Sequence, residues 1–543
     1  MEPTPSPIDS IWMITREYGD LAGAGGVKDV ALQLSAALAR SGRAVSVALP
    51  LYGGMDPEAL GFSPMGLAFD LDMSYPQEER REGVSVWLRR DGSDVYLLDS
   101  PRFREKTGIY TYTAQDERLN PAHRQGEGHY DYFAMNVLLQ KAALCLMVRL
   151  GVRPEIIHCH DGHTALLPAM ARETDGFRHY FSDTGFVVTI HNAGRGYHQE
   201  VHDLPFARAI TGLPARVIDS NTLGGAFDPF LAAAQYAEMN TVSENYAREL
   251  RETADDVLTG WLGHQLLARG LALQGITNGI DPAEFNPRDH QRLGIPVGFE
   301  PGAGAAAEGK GRSAKGKTAG GSGKLRCREE LSAASLGQGL TGVRQDGRLA
   351  FCPEQPLVTF IGRFSTQKGV DIMIDALTYL LPRDNDFQVV ILGSGQKEIE
   401  EALRGLARDR RYHGRVCLLR GFDPRLANWV YAAGDFFLVP SRYEPCGLTD
   451  FIAQLFGNLP IVHHVGGLVK VVEGETGFAF HHHSGLALLE AMERAFAVYR
   501  SSREAIAAMQ QKAVTLIQEQ YTWDTVKERY LALYRAALDR NRA

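Results

Sequence analysis

Four N-terminal segments predict the fold of the chain: IWMI (11–14), GAGG (23–26), VKDVALQLSAALA (27–39) and AVSVALP (44–50). The first and last segments are short apolar runs, which are typical of buried strands. The third segment has apolar residues at helical spacing, and the glycines stand at the turn that leads into it. Together these segments predict two parallel strands joined by a covering helix.

The same alternation recurs along the rest of the chain. Strands are predicted at 156–159, 185–190, 357–361, 388–392, 416–419 and 436–439, with helices near 134–148, 371–381 and 427–433. Strands that alternate with helices imply parallel sheets covered on both faces. The fold class is therefore α/β, with two Rossmann-like, doubly wound parallel-sheet domains. In such sheets ligands bind beyond the carboxyl ends of the strands, so the expected site is a cleft between the domains.

A change of composition separates the two sets of strands. Gly302–Lys324 consists mainly of Gly, Ala, Ser and Lys without a large apolar residue, which is typical of a disordered insertion. Its five basic residues could contact a polyanion, which is the less favoured alternative. We expect an N-terminal domain at 1–290, a linker at 291–345, a C-terminal domain at 346–515 and a last helix at 516–543.

Composition excludes several classes of protein. The formal charge is −8, so the whole chain has no basic field suited to nucleic acid. The six cysteines form no C-x-x-C pair, which argues against a disulfide framework or a zinc module and favours a reducing cytoplasm. Neither a signal peptide nor an apolar run of about 18 residues is evident, so we expect no membrane segment. The oligomeric state stays open.

The second half of the chain carries charged residues suited to a diphosphate. Arg363 and Lys368 follow a predicted strand, and two converging cations could bind phosphate oxygens, although two exposed surface cations would have the same spacing. Glu444 lies in a turn beside a proline and a glycine, directly after another predicted strand. Gly466–Leu468 forms a second glycine loop that could bind an anion.

The first half carries polar groups at predicted strand ends. The loop Gly23–Gly26 could present backbone amides to phosphate or sugar hydroxyls at a helix N-terminus, although such loops also serve tight packing. The run His158–His163 suggests a metal, but strand alternation points Cys159 away from the neighbouring histidines, so a polar edge is favoured. His191 also follows a strand and is well placed to contact a substrate.

Longer stretches carry a resemblance to a known family. They are AGAGGVKDV (22–30), VALPLYG (47–53), IIHCHDGHTALLPA (156–169), TIHNAG (189–194), NTVSENYAREL (240–250), GITNGIDPAEFNP (275–287), GRFSTQKGVDIMIDAL (362–377), VPSRYEPCGLTDF (439–451) and GNLPIVHHVGGL (457–468). In content and order they resemble the bacterial glycogen synthases and starch synthases, which are retaining glycosyltransferases of the two-Rossmann (GT-B) architecture.

The resemblance implies an activity for the chain. It implies transfer of glucose from ADP-glucose to the non-reducing end of an α-1,4-glucan with retention of configuration, without a cofactor or a metal. It also implies that the N-terminal domain lies on the acceptor side, that the C-terminal domain binds the nucleotide sugar, and that the last helix returns to the N-terminal domain.

The resemblance also assigns site residues. Arg363 and Lys368 would hold the donor diphosphate, Glu444 would lie by the donor glucose, and Asp161 and His191 would face the sugar near the reacting centre. Phe422 matches an aromatic position that packs on the nucleobase. The remaining substrate-binding positions are Gly25, Gly26, Asp29, Asn192, Asn278, Cys446, Gly447, Leu448, Gly466 and Gly467.

The chain departs from the family pattern at four positions. Gly23 replaces a lysine, with Lys28 nearby, Gly162 replaces a tryptophan, His463 replaces an arginine and Val465 replaces a threonine. Because several of these positions lie in donor loops, UDP-glucose or another sugar nucleotide stays open as the donor. A catalytically inactive glycan-binding protein is the alternative from another class, against which the joint presence of the charged residues argues.

Overall fold

The computed structural model describes residues 8–302, 323–333 and 342–542. Most of the predicted insertion at 302–324 therefore lies outside the described residues. The chain divides into two compact units, one comprising the residues up to 279 together with those from 523 onward, and the other comprising Ile280–Thr522. Each unit is built on its own α/β sheet, which confirms the prediction of two Rossmann-like domains.

The strands described in the first unit are β1 (Ser10–Ile14), β2 (Ala44–Pro50), β3 (Ser63–Asp72), β4 (Arg81–Asp91), β5 (Ser93–Asp99), β6 (Ile156–His160), β7 (Gly185–Ile190), β8 (Thr222–Leu223), β9 (Ala226–Phe227), β10 (Glu238–Thr241) and β11 (Gln274–Gly275). The main sheet has the order β11-β10-β7-β6-β1-β2-β5-β4-β3, and β8 pairs with β9. Strand β4 is antiparallel to both neighbours, so this sheet is mixed rather than purely parallel. Short turns join β3, β4 and β5, and a short turn permits only antiparallel pairing.

The second unit contains β12 (Arg344–Gly347), β13 (Leu357–Phe364), β14 (Gln388–Gly395), β15 (Val416–Arg420), β16 (Phe436–Val439), β17 (Leu459–His463) and β18 (Phe478–Phe480). Their order is β12-β15-β14-β13-β16-β17-β18. All of these strands are parallel except β12, which pairs antiparallel with β15 at the edge of the sheet. The central strands are buried apolar runs, as expected for a sheet covered on both faces.

The described α-helices are α1 (Val27–Arg40), α2 (Pro101–Arg104), α3 (Ala114–Leu119), α4 (Tyr132–Arg149), α5 (Leu167–Glu173), α6 (Leu204–Thr211), α7 (Ala215–Ser220), α8 (Pro229–Ala233), α9 (Glu244–Glu252), α10 (Leu262–Ala268), α11 (His290–Leu293), α12 (Gly323–Ala333), α13 (Val370–Leu380), α14 (Lys397–Arg408), α15 (Pro424–Ala433), α16 (Thr449–Leu455), α17 (Gly485–Ser501), α18 (Arg503–Gln520) and α19 (Trp523–Arg542). Within the described ranges, none of them is long and apolar enough to cross a membrane.

The last helix belongs to the first unit. Tyr530 and Tyr534 of α19 are fully buried, and the helix packs against α1 and β7. At its first residue, the Trp523 indole N–H donates to Gln33 Oε1 of α1 at 2.6 Å. The helix thus completes the apolar cover of a sheet whose other elements lie more than 240 residues earlier in the chain.

The strand order of each sheet creates one switch point. In the first unit, β1 lies between β2 and β6, so the loops after β1 and β6 leave the same edge of the sheet in opposite directions. In the second unit, β13 lies between β14 and β16 with the same consequence. Ligands of doubly wound sheets bind at such points, so each unit has a candidate ligand-binding region at its own two loops.

Helix α12 is anchored in the second unit by a buried arginine. The Arg328 guanidinium donates to the Ala433 carbonyl at 3.1 and 3.0 Å and to the Gln355 carbonyl at 2.9 Å, and it pairs with Asp435. The Asp435 carboxylate also accepts the Leu357 amide, so the helix is tied to the first residue of β13. A buried charge of this kind is stable only because its partners are present.

We therefore expect Arg328→Met to destabilise the second unit by about 3–5 kcal/mol, because it leaves Asp435 buried without its counter-charge. The double variant Arg328→Met/Asp435→Asn should unfold at a higher urea concentration than the single variant. The ¹⁹F signal of fluorotryptophan at Trp429, the one tryptophan between residues 280 and 522, reports on this unit.

Arg326→Met is the matched control, because Arg326 lies exposed on the same helix. Equal midpoints for Arg328→Met and Arg326→Met would contradict the anchoring role of Arg328.

Candidate active site

An ion pair joins the two loops at the switch point of the second unit. Lys368 follows β13 and Glu444 follows β16, and Lys368 Nζ lies 2.6 Å from Glu444 Oε2. The Ser441 hydroxyl donates to the same carboxylate oxygen at 2.9 Å. The structure therefore brings together two of the charged residues that the sequence singles out 76 positions apart.

Glu444 is held in its ionised form. Burial alone would raise its pKa, but the Lys368 ammonium and the hydrogen bond from Ser441 outweigh burial, so that the pKa of Glu444 lies below its ordinary value. A carboxylate with this environment stays negative at neutral pH. It can stabilise positive charge or accept hydrogen bonds from hydroxyl groups, but it cannot supply a proton.

Two exposed side chains stand near the same edge of this sheet. The Arg363 side chain, near the end of β13, has no hydrogen bond or ion pair with any residue that the structure describes. Phe422 follows β15 and is 65% exposed. An unpaired guanidinium and an exposed ring are available to an anion and to a planar base, respectively.

The buried Lys470 supports the loop after Glu444, although it is not among the site residues predicted from the sequence. Lys470 Nζ donates to the carbonyl oxygens of Cys446 at 2.6 Å, Gly447 at 2.8 Å and Gly467 at 3.0 Å. It also lies 3.1 Å from a carboxylate oxygen of Asp450, whose side chain is fully buried. Burial raises the pKa of Asp450 to about 6 despite this partner.

The glycine loop after β17 packs tightly on the turn that carries Glu444. Gly466 has φ +51°, and a Cβ there would lie 2.0 Å from the Glu444 carbonyl oxygen. A Cβ on Gly467 would lie 2.0 Å from the carbonyl oxygen of Cys446, and the Gly467 amide donates to the Glu444 carbonyl at 3.0 Å. The sequence predicts that this loop binds an anion, whereas in the structure the Gly467 amide donates to the Glu444 carbonyl group.

His463 connects the same turn to the end of the sheet. One ring nitrogen lies 2.9 Å from the Ser441 carbonyl oxygen, and the other lies 3.3 Å from that of His481. The ring is 5% exposed, so in this position the imidazole holds the backbone next to Glu444.

At the switch point of the first unit, Asp161 connects the loops after β6 and β7. Its Oδ1 accepts the amides of His191 at 2.7 Å and Asn192 at 3.4 Å. Asp161 has φ +61°, a conformation that non-glycine residues rarely adopt and that tends to occur at functional sites. Burial raises its pKa to about 7.

The histidines of the same region form a buried network. His160 Nδ1 lies 2.9 Å from His191 Nε2, and His158 Nε2 lies 2.7 Å from the Thr189 hydroxyl. The other ring nitrogen of His158 lies 2.9 Å from the Tyr534 hydroxyl of α19. Across the described ranges, no group of three His, Cys, Asp or Glu side chains is arranged to hold a metal ion.

A carboxylate holds the glycine loop of the first unit. Glu17 Oε2 accepts the amides of Ala24 at 2.7 Å and Gly25 at 2.8 Å, and its other oxygen accepts the Tyr110 hydroxyl at 2.6 Å. The sequence predicts that amides of this loop approach a ligand. In the structure the Ala24 and Gly25 amides donate to the Glu17 carboxylate, while Gly26 is exposed at the N-terminus of α1.

At two departures from the family pattern, the structure shows what lies against the glycine. A Cβ on Gly23 would lie 2.3 Å from Lys28 Cδ, so the Lys28 side chain passes over the position where another side chain would begin. Lys28 Nζ then lies 3.2 Å from Asp29 Oδ1. A Cβ on Gly162 would lie 2.4 Å from the His198 carbonyl oxygen, so no larger residue fits there.

The remaining expected substrate-binding residues differ in exposure. Asn192 accepts the Gly194 amide at 2.8 Å, and Asn278 is buried with its Oδ1 unpaired among the described residues. Asp29 lies in the first turn of α1. Cys446 and Gly447 are buried and Leu448 is partly buried, all beside Glu444.

Four residues of these networks, Glu17, Tyr110, Asp450 and Lys470, are missing from the sequence-based site. Glu17 closely follows the end of the first predicted strand, and Lys470 follows the second glycine loop, so their positions offered a signal. Tyr110 and Asp450 offered none, because their contacts depend on loops that the sequence pattern does not place.

Profiles of known families match both halves of the chain. A profile of the starch synthase catalytic domain matches residues 10–265, and a profile of group 1 glycosyl transferases matches residues 355–497. The chain is 34% identical over 537 residues to a glycogen synthase of Anaeromyxobacter sp. (strain Fw109-5), covering 97% of this chain and 99% of that protein. It is 30% identical over 545 residues to glycogen synthase 2 of Geobacter sulfurreducens, covering 98% and 99%.

The fold is similar to those of solved glycosyltransferases. The catalytic domain of starch synthase IV from Arabidopsis thaliana, bound to ADP and acarbose, matches with a TM-score of 0.76 and 24% identity, covering 98% of this chain and 100% of that one. Sucrose-phosphate synthase from Thermosynechococcus elongatus matches with a TM-score of 0.56 and 17% identity, covering 98% and 100%. Both likenesses show the GT-B fold.

The raised pKa of Asp161 predicts a pH dependence of stability. The folded protein keeps a proton on this carboxyl up to a pKa of about 7, whereas the unfolded chain releases it near the ordinary value of 3.8. Stability contributed by protonated Asp161 is therefore present at low pH and lost as the pH rises through about 7. Relative to Asp161→Asn, the unfolding free energy of the wild type should fall between about pH 4 and about pH 7 and level off above that, by at most about 1.4 kcal/mol per pH unit.

Urea unfolding at a series of pH values measures this difference. Asp175→Asn is the control, because the Asp175 side chain is 90% exposed. A wild-type to Asp161→Asn difference that stays constant across the range would contradict the prediction.

Proposed function

The chain belongs to the glycogen synthase and starch synthase family of glycosyltransferases, and we propose that it transfers glucose from ADP-glucose to the non-reducing end of an α-1,4-glucan with retention of configuration. The observation that carries this proposal is the contact between Lys368 and Glu444 at the switch point of the second unit. One cation and one carboxylate at that position are the charges that breakage of a sugar–diphosphate bond requires.

The charges that develop in the reaction match these groups. As the bond from glucose C1 to the diphosphate breaks, negative charge grows on the leaving oxygen and positive charge grows on the sugar. In this proposal Lys368 and Arg363 stabilise the diphosphate, since the ammonium has three N–H donors and Arg363 is unpaired among the described residues. The ionised Glu444 stabilises the sugar and accepts hydrogen bonds from its hydroxyl groups.

The turn that carries Glu444 is rigid, which favours catalysis by orientation. Lys470 binds three of its neighbouring carbonyl groups, and Gly467 packs on it without space for a side chain. A carboxylate on such a turn needs little reorganisation when the substrate charge develops. We assign the binding of donor sugar hydroxyls to the exposed parts of this turn, near Leu448.

The first unit supplies groups that would face the sugar. His191 follows β7 and is 8% exposed, and the buried Asp161 fixes its backbone. We assign His191 a hydrogen bond to the transferred glucose and Asp161 the role of holding the His191–Asn192 turn. Gly26 and the N-terminus of α1 would add a positive dipole toward phosphate.

The proposal of ADP-glucose as the donor rests on the similarity of the chain to glycogen synthases and a starch synthase. The glycogen synthase relatives match nearly the full length of the chain, and starch synthase IV, which shares the fold, binds ADP. UDP-glucose is the competing donor, because His463 replaces the arginine of the family pattern beside the donor turn.

A direct assay separates these alternatives. Purified protein is incubated with glycogen and either ADP-glucose or UDP-glucose, and nucleoside diphosphate release is measured together with incorporation of ¹³C-glucose. We expect turnover with ADP-glucose to exceed turnover with UDP-glucose, and NMR of the elongated chains to show new α-1,4 links.

Faster turnover with UDP-glucose would reject the donor but keep the class of reaction. Glycogen binding without turnover of either donor would instead support an inactive glycan-binding protein, and β-configured product would reject retention.

Removing either charge of the Lys368–Glu444 pair should impair turnover without unfolding the protein. Because a preorganised charge near the reacting centre contributes about 3–4 kcal/mol to transition-state stabilisation, Glu444→Gln and Lys368→Met should each lower kcat about 100-fold or more. Initial rates with saturating ADP-glucose and glycogen measure this effect, and circular dichroism checks the fold.

Lys512→Met is the matched control, because Lys512 lies on α18 with a side chain that is 57% exposed. Near-normal kcat for Glu444→Gln or Lys368→Met would show that the reaction takes place elsewhere on the protein.

A further inference from the structure

Two buried histidines of the first unit share one hydrogen bond. His160, the last residue of β6, and His191, the first residue after β7, approach with Nδ1 of His160 and Nε2 of His191 2.9 Å apart. Their rings are 2% and 8% exposed. A hydrogen bond between two neutral imidazoles contains a single proton, so one ring donates and the other accepts.

Both rings are neutral at physiological pH. Burial lowers the pKa of His160 to about 3, and burial followed by the neighbouring His160 lowers the pKa of His191 well below its ordinary value. No acidic side chain contacts either ring, since Asp161 bonds only to backbone amides of the adjoining turn. The pair therefore has two states, which differ in the ring that donates.

The surroundings favour donation by His160. Its other nitrogen, Nε2, is buried and has no partner among the described residues. If His191 donated, His160 would carry its proton on Nε2, which would leave a buried N–H without an acceptor. Buried donors without an acceptor are rarer in folded proteins than buried acceptors without a donor. Donation by His160 leaves only an unfilled lone pair at Nε2.

The neighbouring network holds the His160 ring in place. The Thr189 hydroxyl donates to Asn240 Oδ1 at 2.7 Å, so it accepts from His158 Nε2, and His158 Nδ1 accepts from the Tyr534 hydroxyl. His158 thus has no proton on Nδ1. Its ring packs against His160 with centroids 4.3 Å apart, which keeps the His160 imidazole directed toward His191.

We propose that His160 is a positioning residue that fixes His191 as the tautomer with its proton on Nδ1, so that this N–H donates to an oxygen of the bound sugar. Nδ1 of His191 has no hydrogen bond to any described residue, whereas Nε2 is taken up by His160. A neutral donor that cannot turn into an acceptor selects a hydroxyl or ring oxygen of the ligand.

The identity of the ligand rests on the proposed function, but the tautomer of His191 does not depend on it. Selective ¹⁵N labelling of histidine rings separates protonated from unprotonated nitrogens by chemical shift in the full-length protein. We expect His191 to show a protonated Nδ1 and an unprotonated Nε2, with its signals identified by their loss in His191→Gln. A protonated Nε2 on His191 in the wild type would overturn the proposal, whatever the enzymatic activity.

Two variants of His160 connect the tautomer to turnover. In His160→Asn the amide N–H occupies the place of Nδ1–H, so His191 should keep its Nδ1 proton and most of its activity. His160→Leu has no donor, so the His191 signals should indicate a mixture of tautomers, and kcat/KM should fall about tenfold, the equivalent of one lost hydrogen bond. His179→Leu, at an exposed histidine of the same unit, is the control.

The outcomes separate the two proposals. Equal activity of the Asn and Leu variants, or equal loss in both with the tautomer unchanged, would overturn the role of His160 while leaving the transferase function intact. If the wild-type protein turns over neither sugar nucleotide, the NMR result still decides whether His160 sets the tautomer of His191.

Discussion

Parallel strands of one sheet end at the same edge, and this constraint places every functional group described above. Where the strand order reverses, the loops after two neighbouring strands diverge and leave a space between them. In the second unit this space contains the Lys368–Glu444 pair, and in the first it contains Asp161 together with the Glu17-bound glycine loop. The chemistry follows from the topology, because the strand ends bring together loops that are far apart in the chain.

Buried polar side chains hold these loops in shape. Lys470 binds three carbonyl groups beside the Glu444 turn, Glu17 binds two amides of the glycine loop, and Asp161 binds the turn that begins with His191. Buried polar groups are costly unless they are hydrogen-bonded, so each one stabilises one arrangement of its loop over the alternatives. These hydrogen bonds hold the backbone next to Glu444 and His191, to which we assign roles in the reaction.

Close packing decides which parts of a glycine-rich motif can meet a ligand. The pattern of Gly466 and Gly467 suggests an anion site, yet both glycines are required because backbone carbonyl oxygens lie where their Cβ atoms would be. Gly162, which replaces a larger residue of the family pattern, likewise has the His198 carbonyl oxygen against it, whereas at Gly23 the nearest atom belongs to the flexible Lys28 side chain. A glycine-rich motif therefore does not by itself show whether its backbone meets a ligand or another part of the chain.

Apolar periodicity and long motifs are local properties of the chain, so the α/β class, the two sheets, most of the strands around the switch points and the family could be predicted from the sequence. Lys368 and Glu444 could be predicted as well, since each lies in the loop after a predicted strand. The tertiary structure shows that these two side chains touch, that Glu17 accepts two amides of the glycine loop, that Lys470 and Asp450 lie beside the Glu444 turn, and that His160 bonds to His191. These contacts join residues between 7 and 76 positions apart, most of them in loops that follow different elements, and no local pattern encodes which of these loops meet.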